Sequence, residues 1–328
     1  MTTPETPNVM ACVYGKPKRK KTSDALASFP MGLFIGVPAA IKLVAENELG
    51  FTPAVYGVPP QTLDDLVALL GSLNPEEIAE HYGAVVIDDT SHICKQSMLK
   101  WQAESPKGRS GKPDRFYQYQ MLSRRLLELA GISRHLQSHL TMTFHERSPG
   151  TNSEGIFSPG GPDVPSRNQV ETLPSWCDIN VRAIVDPTYP DPWFPACYFV
   201  DPTDPDWITG DRTGVCTDKT PANLREILRA SQSSYRLSRL PDLEWQDEIA
   251  DVVSAQMNEG EAVDVIVSRI ARKHPNLNAL HVRWACQDGI ARGALTQQLS
   301  RGLFDFTVER AEQTNGGGSP LPPPPPMS

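Results

Sequence analysis

Hydrophobic and polar positions in the first two-fifths of the chain alternate between short apolar runs and segments with helical spacing. The short runs predict strands at Val9–Tyr14, Gly32–Val37, Thr52–Val58, Ala84–Ile87 and His139–Phe144. The spaced segments predict helices at Thr22–Ser28, Thr62–Leu70 and Asp114–Ala130, the last with Gly131 as its C-cap. Strands that alternate with helices predict an α/β fold, with a mainly parallel sheet covered on both faces.

Proline density divides the rest of the chain into parts. Residues 149–221 contain 12 prolines, residues 242–312 contain one, and the last ten residues contain six. Apolar stripes at helical spacing run through the proline-poor part. The domain prediction is therefore a core over residues 1–235, a small helical C-terminal region over 236–312, and a disordered Gly/Pro-rich tail over 313–328. The tail is either a docking peptide for a proline-binding partner or a solvated end without a partner.

Composition and charge exclude several classes of protein. The formal net charge is −8, which argues against a protein that coats nucleic acid with its whole surface but leaves a local basic patch open. No apolar run is long enough for a transmembrane helix, and the N-terminus lacks the basic and apolar regions of a signal peptide. The six cysteines are spread widely without a Cys-x-x-Cys pair, which is typical of reduced cysteines in a cytoplasmic protein.

The first predicted strand leads into a strongly basic loop. The loop follows the phosphate-binding pattern G-x-x-x-x-G-K-[ST] at every defined position but one, since Lys20 stands where the pattern has its second glycine. Lys21 would neutralise phosphate, and the Thr22 hydroxyl would hold Mg²⁺. The candidate phosphate-binding residues are Gly15, Lys20, Lys21, Thr22 and Ser23. A solvated basic turn, a nuclear-localisation-like run and a nucleic-acid patch are the competing interpretations.

The strand at Ala84–Ile87 ends in two acids, as in the Walker B motif. A carboxylate at the end of a buried parallel strand lies at the edge of the sheet where ligands bind. Asp88 would hold Mg²⁺, and Asp89 would orient or deprotonate the attacking water. The alternative is an ordinary strand followed by a helix that Thr90 or Ser91 caps.

Three further motifs occur in the order found in one family. They are Ser138–Glu146, an apolar strand ending in His-Glu; Gly160–Pro165, a Gly-Gly-Pro turn; and Trp207–Gly214, a hairpin with Asp-Arg. With them, residues 8–229 resemble the phage-encoded RecA-like ATPases, a group often described as AAA or Sak-type single-strand-annealing ATPases. Gly210 stands where this family has a lysine, so two positions of its active-site pattern are altered.

The resemblance implies a RecA-like P-loop core that binds ATP and Mg²⁺, acts on single-stranded DNA and self-associates as a ring or filament. It makes His145 a sensor of the γ-phosphate and Arg212 a residue acting in trans across a protomer interface. Without the resemblance, His145 is equally a surface histidine, and Arg212 a surface partner of Asp211 or Asp218. The candidate catalytic residues are Lys21, Asp89, His145 and Arg212.

Two polar segments are candidates for contact with single-stranded DNA. Ser148–Arg167 is rich in Gly, Ser and Pro and is expected to be a mobile loop. Lys95–Arg115, expected to be a second loop, mixes cations with aromatic residues, a combination that neutralises phosphates and stacks on bases. Each is otherwise a solvated connection. The basic C-terminal helices are either a DNA-binding or oligomer-docking module or a plain helical cap.

The sequence therefore predicts a cytoplasmic RecA-like ATPase that handles DNA in recombination, annealing or replication, in a host cell if the protein is viral. A non-hydrolysing relative with a binding or assembly role is the first alternative, because Lys20 and Gly210 alter the active-site pattern. A nucleotide kinase is the second, since such an enzyme uses a phosphate loop to transfer phosphate to a small molecule.

Overall fold

The structure is a computed structural model that describes most of the first 230 residues and short parts of the C-terminal region. The described residues are 8–49, 51–107, 111–112, 114, 116–153, 155–188, 195–216, 218–230, 249, 252–253, 255–256, 263–277 and 282. The predicted tail at 313–328 and the predicted boundary after residue 235 lie outside them, as does much of the predicted helical region.

Strands and helices alternate through the described part of the chain. The strands are β1 (Met10–Gly15), β2 (Leu33–Gly36), β3 (Ala54–Val55), β4 (Ala84–Asp88), β5 (His139–Arg147), β6 (Gly150–Thr151), β7 (Phe157–Ser158), β8 (Gly161–Pro162), β9 (Ile179–Val185), β10 (Ala196–Phe199), β11 (Gly210–Asp211) and β12 (Thr220–Pro221). The helices are α1 (Lys21–Ser28), α2 (Pro38–Val44), α3 (Leu63–Ser72), α4 (Pro75–His81), α5 (Thr90–Glu104), α6 (Tyr117–Ser133), α7 (Arg167–Trp176), α8 (Leu224–Ala230) and α9 (Val263–Lys273). A π-helical turn, Ala45–Leu49, continues α2.

Ten of the described strands form one mixed sheet. Its order is β12-β10-β9-β1-β5-β4-β2-β3, with β8 paired to β5 and β11 paired to β9. The strands from β9 to β3 in this order run parallel, whereas β8, β10, β11 and β12 pair in antiparallel fashion. The predicted α/β fold with a mainly parallel sheet is confirmed.

The order of the strands creates a crevice at the carboxyl end of β1. The chain leaves β1 for β2 on one side, and later places β9 on the other side, so β1 is a switch point of the topology. In open parallel sheets, ligands bind at such a point, beyond the carboxyl ends of the strands. Gly15 at the end of β1 pairs with His145 of β5, and Asp88 ends β4 at the same edge. The predicted site residues of three strands therefore meet.

Both faces of the sheet are covered by helices, as predicted. Alternate residues of β1 face opposite layers, with Ala11 and Val13 in one apolar cluster and Cys12 and Tyr14 in the other. The first cluster includes buried residues of α1, α2 and α8, and the second includes those of α3 to α7. This packing holds the carboxyl edge of the sheet in place from both sides.

Three predictions of local structure are wrong. Lys95–Glu104 belongs to α5 rather than to a loop, because Asp89 caps a helix that starts immediately after β4. Gly131 lies inside α6 and is not its C-cap, since the helix continues to Ser133. The segment at 148–167 is not an unstructured loop, because it forms the β6–β7 hairpin and β8.

Other strand and helix boundaries also differ from those predicted from the sequence. The predicted strand Thr52–Val58 is reduced to β3, and α2 and α4 were not predicted. The helix predicted at Thr62–Leu70 is confirmed, and it begins with a capping box between Thr62 and Asp65. Within the described ranges, no helix is long and apolar enough to cross a bilayer.

Candidate active site

The loop between β1 and α1 has the backbone of an anion-binding turn without its second glycine. Lys18 and Lys20 both adopt the left-handed conformation, with φ of 62° and 61°. Residues of this kind within a turn let successive N–H groups point into one hollow, which binds anions. Residue 15 is restricted to glycine for a separate, steric reason, because a Cβ there would lie 2.5 Å from the carbonyl oxygen of Ala183. The basic loop thus keeps the glycine-type backbone even though residue 20 is a lysine.

Lys21 is the first residue of α1, and its side chain folds back over the loop. Its Nζ donates to the carbonyl oxygens of Gly15, at 2.9 Å, and Lys16, at 3.0 Å. Burial lowers the pKa of Lys21 below its ordinary value, while the charges of Asp88 and two other nearby acids oppose that shift. The ammonium group therefore lies against the start of the loop, near the acidic residues of the site.

Asp88 is bound on both of its carboxylate oxygens by threonine hydroxyls. Thr22 Oγ1 donates to Asp88 Oδ2 at 2.8 Å, and Thr143 Oγ1 of β5 donates to Asp88 Oδ1. Burial raises the pKa of Asp88, whereas the two hydroxyl groups and the Lys21 charge act in the opposite direction. A hydroxyl oxygen next to a carboxylate is a donor set that suits Mg²⁺, so the predicted metal residues Thr22 and Asp88 fit that ion.

Sequence reasoning missed Thr143. Its signal was present, because Thr141, Thr143 and His145 are polar residues on one face of a strand that the structure places in the middle of the sheet. A polar side chain at a fully buried strand position needs a partner, which marks it as a candidate for a specific contact.

Asp89 and His145 form a second pair at the same edge. Asp89 is joined to Asp88 by a cis peptide bond, and its Oδ2 lies 2.9 Å from Nε2 of His145. Its Oδ1 accepts the backbone N–H of His92, so the residue that caps α5 is Asp89, and not Thr90 or Ser91 as in the alternative interpretation of this strand end. The two carboxylate oxygens of Asp89 are thus shared between a helix and a histidine.

His145 is held in place from two directions. Its backbone N–H donates to Ser91 Oγ at 3.0 Å, and its Nε2 faces Asp89. Its Nδ1 is buried and has no hydrogen-bond partner among the described residues. His145 is therefore tied to the junction of β4 and α5, rather than standing alone at a strand end.

Beside His145, an arginine is fixed in a way that sequence reasoning did not anticipate. Arg182 of β9 donates through Nε to Glu146 at 2.9 Å, and the Glu146 side chain is only 2% exposed. The guanidinium carbon lies 3.4 Å from the ring centroid of Trp207, which stacks on Tyr14 at 6.4 Å. A Cβ on Gly160 would approach that indole ring to 2.5 Å. The Gly-Gly-Pro turn therefore packs against Trp207, and no sequence pattern pointed to the Glu146–Arg182 pair.

Arg212 has an acidic neighbour other than the two named in the alternative interpretation of this residue. Its Nη2 donates to the Ser175 carbonyl, and its Nη1 is 4.0 Å from Asp178. The Asp211 carboxylate instead accepts the backbone N–H groups of residues 213, 215 and 216, so it shapes the turn. The alternative interpretation, a surface pair with Asp211 or Asp218, therefore names the wrong acid.

The structure does not bring Arg212 to the phosphate loop of its own chain. Asp178 accepts the backbone N–H of Met10, at the amino end of β1, whereas Gly15 is at the carboxyl end. At about 3.3 Å per residue, five steps along β1 separate the two ends by roughly 16 Å. Arg212 is therefore at the opposite edge of the sheet from Lys21.

Part of the segment predicted to contact single-stranded DNA is used inside the fold. Trp101 is buried, and its indole N–H donates to Asp64, which also binds Lys100 at 3.0 Å. Lys95 pairs with Asp163 at 2.5 Å. Exposed aromatic residues remain farther along at Phe116 and Tyr119, whereas Arg109 and Arg115 lie outside the described residues.

Comparison with known proteins gives structural similarity only. No protein-family model matches the chain, and no curated protein sequence matches it. One similar solved structure is a RadB recombinase, with 19% identity, coverage of 56% of this chain and 78% of that chain, and a TM-score of 0.34. Another is a KaiC-like protein from Pyrococcus horikoshii, with 12% identity, coverage of 56% and 74%, and a TM-score of 0.32.

Proposed function

We propose that this protein is a RecA-like P-loop ATPase of the phage-encoded type that its motifs resemble, and that it binds ATP with Mg²⁺ at the carboxyl edge of the sheet. The observation that carries the proposal is the 2.8 Å hydrogen bond between Thr22 and Asp88, which are 66 residues apart. It joins the end of the phosphate loop to the end of the Walker B strand. Lys21 lies over the same loop, so the phosphate loop, its lysine and the Walker B aspartate are adjacent.

Each group of the site has a defined task in ATP binding. The loop N–H groups and Lys21 bind the β- and γ-phosphate oxygens, which replace the carbonyl oxygens that Lys21 contacts here. Thr22 and Asp88 would hold Mg²⁺, which neutralises phosphate charge when bound. Thr143 keeps the Asp88 carboxylate turned toward Thr22.

Hydrolysis falls to the Asp89–His145 pair. The Asp89 carboxylate oxygen that faces His145 orients the attacking water and accepts its proton. His145 responds to the γ-phosphate, and the Ser91 contact passes its position to α5. A non-hydrolysing relative is the second candidate, because both carboxylate oxygens of Asp89 already have partners.

Binding of ATP is tested with Lys21→Ala and, as a matched control, Lys42→Ala on an exposed position of α2. Loss of the charged contact should weaken binding of a non-hydrolysable ATP analogue by about 30-fold or more, whereas the control should bind like the wild type. Calorimetric titration in the presence of Mg²⁺ measures both. Equal affinity of the two variants would contradict the proposal.

Turnover separates the ATPase from the second candidate. Phosphate release is measured with and without single-stranded DNA, because the β6–β7 hairpin next to β5 exposes Ile156 and Phe157 for contact with bases. Turnover that DNA stimulates supports the ATPase. Tight ATP binding without turnover supports the non-hydrolysing relative, and transfer of phosphate to a nucleotide instead of water would identify a kinase.

Self-association is part of the proposal. Arg212 is about 60% exposed and lies at the edge opposite its own phosphate loop, where it can reach the site of a neighbouring protomer. In a ring or filament of identical chains, the sheet edge at the amino ends of the strands can face the carboxyl edge of the next chain. Arg212 of one chain then meets the phosphate loop of its neighbour. We place the protein in the cytoplasm, where ATP and Mg²⁺ are present.

A further inference from the structure

Residue 20 is the position at which this chain departs from the phosphate-loop pattern. Lys20 has φ 61° and ψ 17°, a left-handed conformation that glycine adopts freely. For a residue with a Cβ, the same conformation costs roughly 1–2 kcal/mol. The Lys20 carbonyl also accepts the N–H of Asp24 at 2.8 Å, which starts α1. Something must therefore hold Lys20 in a conformation that its side chain disfavours.

The Lys20 side chain ends on a different element from that of Lys21. Its Nζ lies 3.1 Å from Oε1 of Glu48, whereas Lys21 binds the carbonyls of the loop. The side chains of Lys20 and Glu48 are 38% and 29% exposed, so the pair is partly shielded from water. The ammonium group of Lys20 is thus occupied away from Lys21 and its loop carbonyls.

Glu48 is presented by an unusual and well-anchored segment. It belongs to the π-helical turn that continues α2, a geometry frequently found at functional sites. Ala45, at the start of this turn, is fully buried in the apolar cluster that contains Ala25 and Leu26 of α1. The turn and α1 share one piece of core, so the Glu48 carboxylate has a fixed position relative to the loop.

We infer that Glu48 is a positioning residue that takes over the role of the missing glycine. By binding the Lys20 ammonium group, it holds the Lys20 backbone in the left-handed conformation and so preserves the anion-binding shape of the loop. Glu48 acts on phosphate only through Lys20. This inference rests on the proposed ATP site, and it adds to that site a positioning residue that lies outside the phosphate-loop motif.

The inference requires that the effect of Glu48 depend on the identity of residue 20. Glu48→Gln should weaken binding of an ATP analogue by about threefold to fivefold, in line with a partly exposed ion pair. Lys20→Gly keeps the backbone N–H of residue 20 and needs no tether, because glycine adopts the left-handed conformation freely. Adding Glu48→Gln to Lys20→Gly should then change nothing. Glu46→Gln, at an exposed position of the same turn, is the matched control.

Two binding results would overturn the inference. An equal loss when Glu48→Gln is made in the wild type and in the Lys20→Gly variant would mean that Glu48 acts independently of Lys20. Tighter binding after Glu48→Gln would mean that Glu48 competes with phosphate for the ammonium group. The wild type, the two single variants and the double variant form a double-mutant cycle, so the coupling between the two residues is measured directly.

The same cycle without nucleotide separates this inference from the proposed function. Urea unfolding of the four proteins should show that Glu48→Gln destabilises the wild type but not the Lys20→Gly variant. If the wild type bound no nucleotide and this coupling remained, the proposed function would fail while the tether stood. If nucleotide bound and no coupling appeared in either measurement, the tether would fail while the function stood.

Discussion

Thr143 fixes one of the two carboxylate oxygens of Asp88. It donates to one carboxylate oxygen while Thr22 donates to the other, so the carboxylate plane is set from two sides. Thr141, two positions earlier on the same face, is also buried, but its hydroxyl has no partner among the described residues. These two threonines therefore separate the effect of a hydroxyl on Asp88 from the effect of a buried threonine in general.

Replacement of Thr143 by valine should weaken Mg²⁺-dependent nucleotide binding. Loss of a hydrogen bond to a charged group predicts that the Mg²⁺ concentration needed for half-maximal binding rises by about tenfold. Thr143→Ser should restore the wild-type value, and Thr141→Val should leave it unchanged. A Mg²⁺ titration of nucleotide-analogue fluorescence measures all three. A serine variant as impaired as the valine variant would argue against a role for the hydroxyl.

At the residue scale, the sequence predicts the charged residues of the phosphate loop and of the strand end, but not all of the side chains that bind them. Lys21 and Thr22 follow from the spacing of the loop, and Asp88 follows from its place at the end of an apolar strand. Thr143 and Glu48 are far from these motifs in the chain, and only the pairing of strands and the path of the π-helical turn bring them near.

At the scale of the elements, β5 carries polar residues through the centre of the molecule. His139 begins this strand, is 1% exposed, and accepts the backbone N–H of Val9 through Nδ1 at 3.2 Å. Burial lowers the pKa of His139 from its ordinary 6.5 to about 4. Protonation of Nδ1 would also remove the acceptor for Val9. The start of β5 therefore favours a neutral histidine.

Acid should destabilise the protein through His139. Because the folded-state pKa lies below the unfolded-state pKa, protons bind the unfolded chain preferentially between pH 6.5 and 4. The free energy of unfolding should then fall by about 3 kcal/mol from this group alone as the pH drops across that window. Urea unfolding at several pH values tests this.

The variant His139→Asn isolates this contribution, since asparagine keeps an acceptor for Val9 but does not titrate. It should flatten the pH dependence between pH 6.5 and 4, and His92→Asn, at an exposed position of α5, should not. An unchanged slope in His139→Asn would show that other groups cause the acid sensitivity.

Among the elements, those with strong hydrophobic periodicity agree with the sequence-based predictions. The helix at α3 was predicted from leucines at helical spacing and two acids in its first turn. The sequence pattern predicts a loop for most of α5, because three of its six buried residues, Thr90, Ser91 and Ser97, are polar, so its buried face is not an apolar stripe. Asp89 was considered as a catalytic group, and its second use as a helix cap was not recognised.

At the scale of the whole molecule, Arg212 and the phosphate loop lie at opposite edges of one sheet. If Arg212 completes the site of a neighbour, Lys21→Ala and Arg212→Ala should each abolish ATP turnover alone. In a mixture, a protomer with intact Lys21 can face one with intact Arg212. An equimolar mixture of co-assembled chains should then regain about a quarter of the wild-type rate, since one interface in four is complete.

Phosphate release from the mixture gives the rate, and co-purification of the untagged variant with an affinity-tagged one confirms that the variants assemble together. Arg124→Ala in place of Arg212→Ala is the control, because Arg124 is 68% exposed on α6 and pairs with Glu128 of its own helix. No recovery in co-assembled mixtures would place the action of Arg212 outside the neighbouring site.

The sequence by itself determined the class of fold and singled out Lys21, Asp88 and Asp89 as candidate site residues. Apolar runs, helical spacing and the phosphate-loop motif are local patterns, which can be recognised in the sequence without knowledge of the fold. Only the tertiary structure decided which strands are neighbours, and therefore that Thr143 binds Asp88 and that Asp89 faces His145. It likewise decided that Glu48 holds Lys20 and that Arg212 is remote. The physical reason is that these contacts depend on long-range packing of the sheet and its covering helices, which neighbouring residues in the chain do not encode.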